Sequence, residues 1–349
     1  MSINLNKPVR LSRAGAWRTY TGGSMIEALH GNEGAPDTNF PEEWIMSTVA
    51  ARNSGREHIV EGKSMVWETD ISLAQVIENN PTETLGVKHY EKYGATLGVL
   101  VKLIDSAERL TVQVHPTREK AMQLFNSPFG KTECWHILGG REINGEKPCI
   151  YFGFKEGITR EYWKKVFDEQ DIPSMLDCLH KFEVEPGDTF LIEGGIPHAI
   201  GAGCFLVEVQ EPTDFTIRTE RVTPAGLAVA DFMCHQGLGF DKMFDCFDYV
   251  GYSKEDVSKS WKIKPQGNSV IGYNNTEIFR LEEFEVKESM TISSDGVFSG
   301  IYILDGMGEV DGETVTKGAQ FFIPASCNPF KINGKMKIMR FYGPNGGIL

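Results

Sequence analysis

The chain has 349 residues, 41% of them hydrophobic, and carries 35 Lys and Arg against 48 Asp and Glu, a formal net charge of −13 at pH 7. That length and apolar content build one large or two ordinary domains with their own cores, and they exclude general disorder. The acidic balance repels nucleic acid and anionic membrane over most of the surface, so neither is expected as a partner, and any anionic ligand needs a local basic pocket.

Met1 to Thr19 holds Lys7, Arg10 and Arg13 without an apolar core, and no later run approaches the 18 apolar residues of a membrane span. The first periodic segment is a helix over Ile71 to Asn79, with Asp70 as its cap candidate. Strand texture follows at Leu97 to Ile104 and Leu110 to His115, then a helix at Thr117 to Phe125. Cys149 to Phe154 reads as a strand, and Arg160 to Gln170 as a helix after Thr159, with Tyr162, Trp163 and Val166 at helical spacing. Thr189 to Ile192 and Cys204 to Val209 are apolar strands. Between Phe247 and Asn275 the chain turns polar, through Ser253 to Ser260 and Pro265-Gln266-Gly267-Asn268. Strand texture resumes at Ile278, with runs at Phe298 to Leu304 and Ile338 to Tyr342.

Many short strands with few helices predict a mostly β protein. The polar stretch places a boundary between residues 1–247, with small helical insertions at about 117–126 and 159–180, and residues 248–349. The seven cysteines show no close pairing, which suits a reducing, cytoplasmic compartment better than a disulfide framework.

Residues two apart in a strand share a face about 6.6 Å apart, so Gln113 and His115 can point into one cavity while Val114 points away. Glu133, between Thr132 and Cys134-Trp135, is a carboxylate at an apolar strand position and needs a partner such as a metal. His198 lies in the glycine-rich turn Gly194-Gly195-Ile196-Pro197. Two imidazoles, a carboxylate and an amide oxygen can close around one divalent metal. His136, next along from Trp135, is expected to be a structural histidine.

An internal repeat aligns Gly187 to His198 with Gly318 to Pro329 position for position, each reading as turn, apolar strand, tight turn. The first copy resembles the second signature motif of the cupin superfamily, with Glu193 where that motif has proline. The resemblance implies two double-stranded β-helix barrels, and Pro329 in the place of His198 implies a metal only in the first.

Three elements, Thr111-Val112-Gln113-Val114-His115-Pro116, Lys131-Thr132-Glu133-Cys134-Trp135 and Pro197-His198-Ala199-Ile200-Gly201-Ala202-Gly203, stand in the order and spacing of a known family. From about Glu43 onward the chain resembles the type I mannose-6-phosphate isomerases, in the short bacterial form that lacks a large helical insertion. The resemblance implies one zinc per chain on Gln113, His115, Glu133 and His198, an active-site lysine at Lys131, a substrate-binding lysine at Lys102, and a glutamate and arginine pair at Glu208 and Arg218. Thr216-Ile217-Arg218-Thr219-Glu220-Arg221 departs from the family's usual tyrosine-arginine stretch, so Arg221 competes with Arg218. The implied reaction is interconversion of mannose 6-phosphate and fructose 6-phosphate through a cis-enediol.

That chemistry needs an electrophile on the sugar oxygens, a base that returns its proton, and cations for the phosphate. Lys102, Lys131 and Arg218 supply the cations, and burial on the Phe205 to Val209 run is expected to lift the Glu208 carboxyl into a useful range. The alternatives are another cupin metalloenzyme, such as an isomerase of a free sugar or an iron oxygenase, and a non-catalytic sugar-binding cupin. A neutral glutamine ligand beside two His and a Glu disfavours the oxygenase. The oligomeric state, monomer or homodimer, is left open.

Overall fold

The computed structural model of the chain describes residues 3–345; residues 1, 2 and 346–349 of the two expected units lie outside them. Two large antiparallel sheets pack through their faces. In the first, the hydrogen-bonded order is Lys262–Ile263, Thr189–Ile192, Glu133–Gly140, Cys204–Gln210, Leu100–Asp105, Glu42–Ile45 and Gly15–Ala16. In the second it is Val9–Leu11, Gln320–Ile323, Ser299–Val310, Phe330–Tyr342, Arg280–Val286 and Ser269–Ile271.

Strand alternation explains why the sheets face each other. Val101, Leu103, Cys134, Val207 and Val209 from the first meet Leu281, Tyr302, Phe322, Met339 and Phe341 from the second in one buried cluster. The residues between them, Lys102, Trp135 and Glu208 in the first sheet, point the other way. There a smaller sheet closes over them, ordered Ile217–Arg218, Gln113–Val114, His198–Ile200, Cys149–Phe154 and Leu179–Glu183.

The repeat is visible in the backbone. Thr189–Ile192 and Gln320–Ile323 are both fully buried strands, each entered through a glycine at positive φ, Gly187 at 93° and Gly318 at 88°. The expected division at 247/248 is crossed by pairing in both directions: Lys262–Ile263 joins the first sheet, and Val9–Leu11 joins the second.

Several elements differ from the sequence expectation. The helix expected from Ile71 begins at Leu73 because Ser72, not Asp70, caps it, in a reciprocal box with Gln75. The polar stretch read as linker contains the helix Lys254–Trp261, capped by Ser253 and buried through Val257 and Trp261; two apolar residues in eight make a weak period. Only Gln113–Val114 of the expected Leu110 to His115 strand is paired, and Ser299–Val310 and Phe330–Tyr342 run longer than expected. Thr159 precedes and caps Arg160–Glu169 as expected, with Trp163 and Val166 buried but Tyr162 exposed, whereas Thr117, read as the first helical residue, is the cap of Arg118–Phe125. Among the described residues no helix is long and apolar enough to cross a membrane, and all seven cysteines are buried and unpaired.

Candidate metal centre and active-site pocket

Register assembles the cluster. His198 lies opposite Gln113 across the small sheet, and Gln113 lies opposite Arg218 on its other side. Glu133 comes from the large sheet beneath. Donor atoms of His115, Glu133 and His198 lie within 4.8 Å of one another, and all three residues are buried. His198 was expected in a turn; it opens a strand instead and is fully buried, because the glycines precede it and leave its own backbone free to pair.

The hydrogen bonds fix the tautomers. Nδ1 of His115 is 2.8 Å from the Phe215 carbonyl and Nδ1 of His198 is 2.8 Å from the Ile196 carbonyl. A carbonyl only accepts, so each Nδ1 carries the proton and each neutral ring turns its Nε2 lone pair into the cluster, where that of His115 also accepts from the Lys131 Nζ at 2.8 Å. Burial, reinforced by the Lys131 ammonium, pushes the His115 pKa down to about 3, and burial lowers that of His198, so both rings are neutral at pH 7. Their Nε2 atoms are 3.2 Å apart.

Glu133 completes the arrangement. Oε2 is 2.9 Å from the Lys131 Nζ and 3.3 Å from the His115 Nε2; Oε1 is 3.4 Å from the His198 Nε2. Oε1 is buried with no hydrogen-bond partner among the described residues. Burial would hold this carboxyl up, but Lys131 and the histidines outweigh it and keep the group ionised. Two lone pairs and an orphaned anionic oxygen converging at these distances fit a divalent cation, and no group among the described residues, Lys131 included, satisfies all three. The Gln113 amide nitrogen stands 3.4 Å from the His198 Nε2; turning the amide end for end puts its oxygen there.

Above this cluster the pocket wall carries six cationic side chains, Arg18, Arg52, Lys102, Arg109, Lys131 and Arg218, and three carboxylates, Glu42, Glu208 and Asp214. In a chain of net charge −13 this is a local reversal of sign, the basic pocket that an anionic ligand requires.

Lys102 and Glu208 sit opposite each other on neighbouring strands, with Nζ 2.8 Å from the Glu208 Oε1 and 2.6 Å from the Gln210 Oε1. Trp135 Nε1 donates to the other Glu208 oxygen at 3.1 Å. Glu208 is therefore buried beside a cation and a donor, not in the apolar setting expected from its flanking residues. Burial alone would lower the Lys102 pKa, yet Glu208 and Glu42 raise it, so the ammonium is permanent.

Arg218 and the exposed Arg52 are the two wall cations without an ion pair to a carboxylate among the described residues, and Arg218 is the one set inside the pocket wall. Nη1 donates to the carbonyls of Thr216 at 3.2 Å and Met233 at 2.9 Å, and no carboxylate of the described residues lies at ion-pair distance. Burial lowers its pKa, only partly offset by Asp214. Arg221 stands outside the pocket, stacked on Phe167 and Phe240 at 5.1 and 4.5 Å. Geometry thus separates the two arginines that the sequence left in competition.

Sequence reasoning missed Arg18, Glu42, Arg52, Arg109 and Asp214. Glu42 accepts from Tyr20 at 2.7 Å, Trp44 at 2.7 Å and Arg18 at 2.9 Å, and despite burial Arg18 and Lys102 hold its pKa at about 2. The signal available was Glu42-Glu43 inside a buried strand, where alternation sends one carboxylate to each face. Glu43 goes to the sheet interface, 2.6 Å from His30 and 3.2 Å from the Tyr302 hydroxyl. His136 is structural as expected, bonded to Thr189 at 2.8 Å.

Comparison with known proteins supplies the family. Residues 40–129, which carry Gln113 and His115, match the type I phosphomannose isomerase catalytic domain, and residues 269–343 match the mannose-6-phosphate isomerase cupin domain. The chain is 34% identical over 251 residues to mannose-6-phosphate isomerase ManA of Bacillus subtilis, covering 69% of this chain and 73% of that one. The chain belongs to the type I mannose-6-phosphate isomerase family. Its fold matches a mannose 6-phosphate isomerase structure from Bacillus subtilis with TM-score 0.71 at 19% identity, covering 96% of this chain and 99% of that one. A zinc-bound mannose 6-phosphate isomerase structure aligns with TM-score 0.71 at 15% identity, covering 97% and 100%. The mostly β, cupin-type architecture implied by the repeat is the one found.

Proposed function

We propose that the chain interconverts mannose 6-phosphate and fructose 6-phosphate, with one zinc per chain held by His115, Glu133, His198 and Gln113. Family membership supports the reaction class. The observation that carries the site is the buried Glu133 Oε1, without a hydrogen-bond partner among the described residues, facing two unprotonated imidazole nitrogens at the floor of a basic pocket.

Zinc bound there supplies Lewis-acid polarisation of the sugar oxygens. Lys131, 2.8 Å from the His115 Nε2, stands between that cluster and the pocket, where its ammonium can donate to a substrate oxygen. Arg218 presents a guanidinium with no carboxylate contact and takes the phosphate in fork geometry. Lys102 orients Glu208, and Glu208 moves the proton between C2 and C1 while Trp135 holds its second oxygen. Arg18, balanced by Glu42 and Asp214, shapes the wall without free charge.

The second large sheet supports a single metal. Ser299 and Pro329 stand where the first has Glu133 and His198, a set without a carboxylate or imidazole. Seven buried free thiols suit a reducing cytoplasm.

The test is to assay chelated and zinc-reloaded protein on mannose 6-phosphate and on free mannose. The proposal expects activity only with metal and a strong preference for the phosphate ester. Equal turnover of free mannose would favour the free-sugar isomerase instead.

A further inference from the structure

The two large sheets correspond strand for strand, and their registers can be laid on each other. Aligning Phe190 with Phe321 pairs Trp135 with Ile301, Glu208 with Arg340, and Lys102 with Glu282, each residue directly opposite the next in its own sheet. The same alignment sets Ser299 at the position of Glu133. The buried Lys102 and Glu208 pair thus recurs in the second sheet with its charges exchanged, and it again lines a cavity, here of about 810 Å³.

The contacts around Arg340 show what that cavity offers. Arg340 is 7% exposed. Its Nε donates to the Ser299 Oγ at 3.0 Å and its Nη2 to the Ser293 carbonyl at 2.7 Å. Glu282, directly across, does not neutralise it: Glu282 is taken by the Arg280 guanidinium and by the Tyr342 hydroxyl at 2.9 Å. Both arginines stack on Tyr342, at 4.7 and 4.8 Å. Only Arg280 of the two guanidinium groups has a carboxylate contact, and the buried Arg340, at the position of Glu208, is bonded to the serine that stands at the position of Glu133.

We propose that this cavity is a second ligand site, for a small hydroxylated anion. Arg340 takes the anionic group, with a charge that needs no metal, while Glu282 and Tyr342 face its hydroxyls. The site is separate from the catalytic pocket, on the opposite face of the paired sheets, so its occupation leaves the isomerase residues in place.

The test titrates zinc-loaded protein with inorganic phosphate and with gluconate by calorimetry, in wild type, Arg340→Met and Arg280→Gln. The expected result is two phosphates per wild-type chain, with the site outside the catalytic pocket weakened at least about tenfold in both variants, and KM and kcat for mannose 6-phosphate unchanged. The tighter of the two probes identifies a phosphate-bearing or a carboxylate-bearing ligand. Arg280, at the rim, keeps the test informative if Arg340→Met does not fold. One phosphate per chain in all three proteins with no gluconate bound, or variants that bind both anions as wild type does, would overturn the proposal.

Discussion

Arg218→Met separates phosphate recognition from stability. The guanidinium is buried, its pKa is lowered by desolvation, and its contacts are the two carbonyls at 3.2 and 2.9 Å, leaving Nε and Nη2 without a hydrogen bond to the described residues. A charge-assisted hydrogen bond contributes about 1.5–3 kcal/mol. Losing a fork contact to the phosphate should therefore cost about 3 kcal/mol, roughly a 150-fold rise in KM for mannose 6-phosphate. The fold loses two carbonyl contacts but sheds a poorly compensated buried charge, so stability should stay within about 1 kcal/mol of wild type. Steady-state kinetics and urea denaturation measure the two effects on one sample. Arg221→Ala, which removes only the stack on Phe167 and Phe240, should leave KM unchanged. If Arg218→Met keeps its KM within about threefold, or if Arg221→Ala matches its defect, the assignment of the phosphate contact is wrong.

His198→Ala should lose metal and activity together, and because the ring is fully buried the variant should also melt lower than metal-free wild type; wild-type metal content would remove His198 from the site. Glu208→Gln should lower kcat by about two to four powers of ten with metal retained; metal loss would instead make Glu208 a support of the cluster. Glu42 has a folded pKa of about 2 against an ordinary 4.5, so it adds stability above the unfolded value that is lost as pH falls through the folded one, about 3 kcal/mol in all. Glu42→Gln should accordingly be less stable than wild type at pH 7, with the gap closing between about pH 4.5 and pH 2 in acid titrations of the melt. A gap independent of pH would show that the Glu42 charge is not what is lost.

The proposed metal donors were readable because local rules suffice for them. Gln113 and His115 share a face by alternation, and an uncompensated Glu133 in an apolar strand announces a partner. Glu208 was misread in its surroundings because its cation, Lys102, comes from a strand 106 residues away, and no local pattern encodes that register. Arg18, Asp214 and Arg109 reach the wall from loops and irregular backbone, where there is no period to read. The helix Lys254–Trp261 was lost for the opposite reason: its period rests on Val257 and Trp261 alone. Repeated glycine-strand-turn strings showed that two similar sheets exist, but the exchange of Lys102 and Glu208 for Glu282 and Arg340 becomes visible only once strand partners are known.

The most direct test of the isomerase assignment is to incubate zinc-loaded protein with mannose 6-phosphate in deuterated water and follow the sugar by NMR. Proton transfer by a side-chain base predicts fructose 6-phosphate carrying solvent deuterium at C1, formed by the loaded protein and not by the chelated one. Fully loaded protein that leaves mannose 6-phosphate unconverted, or chelated protein that converts it equally well, would contradict the account.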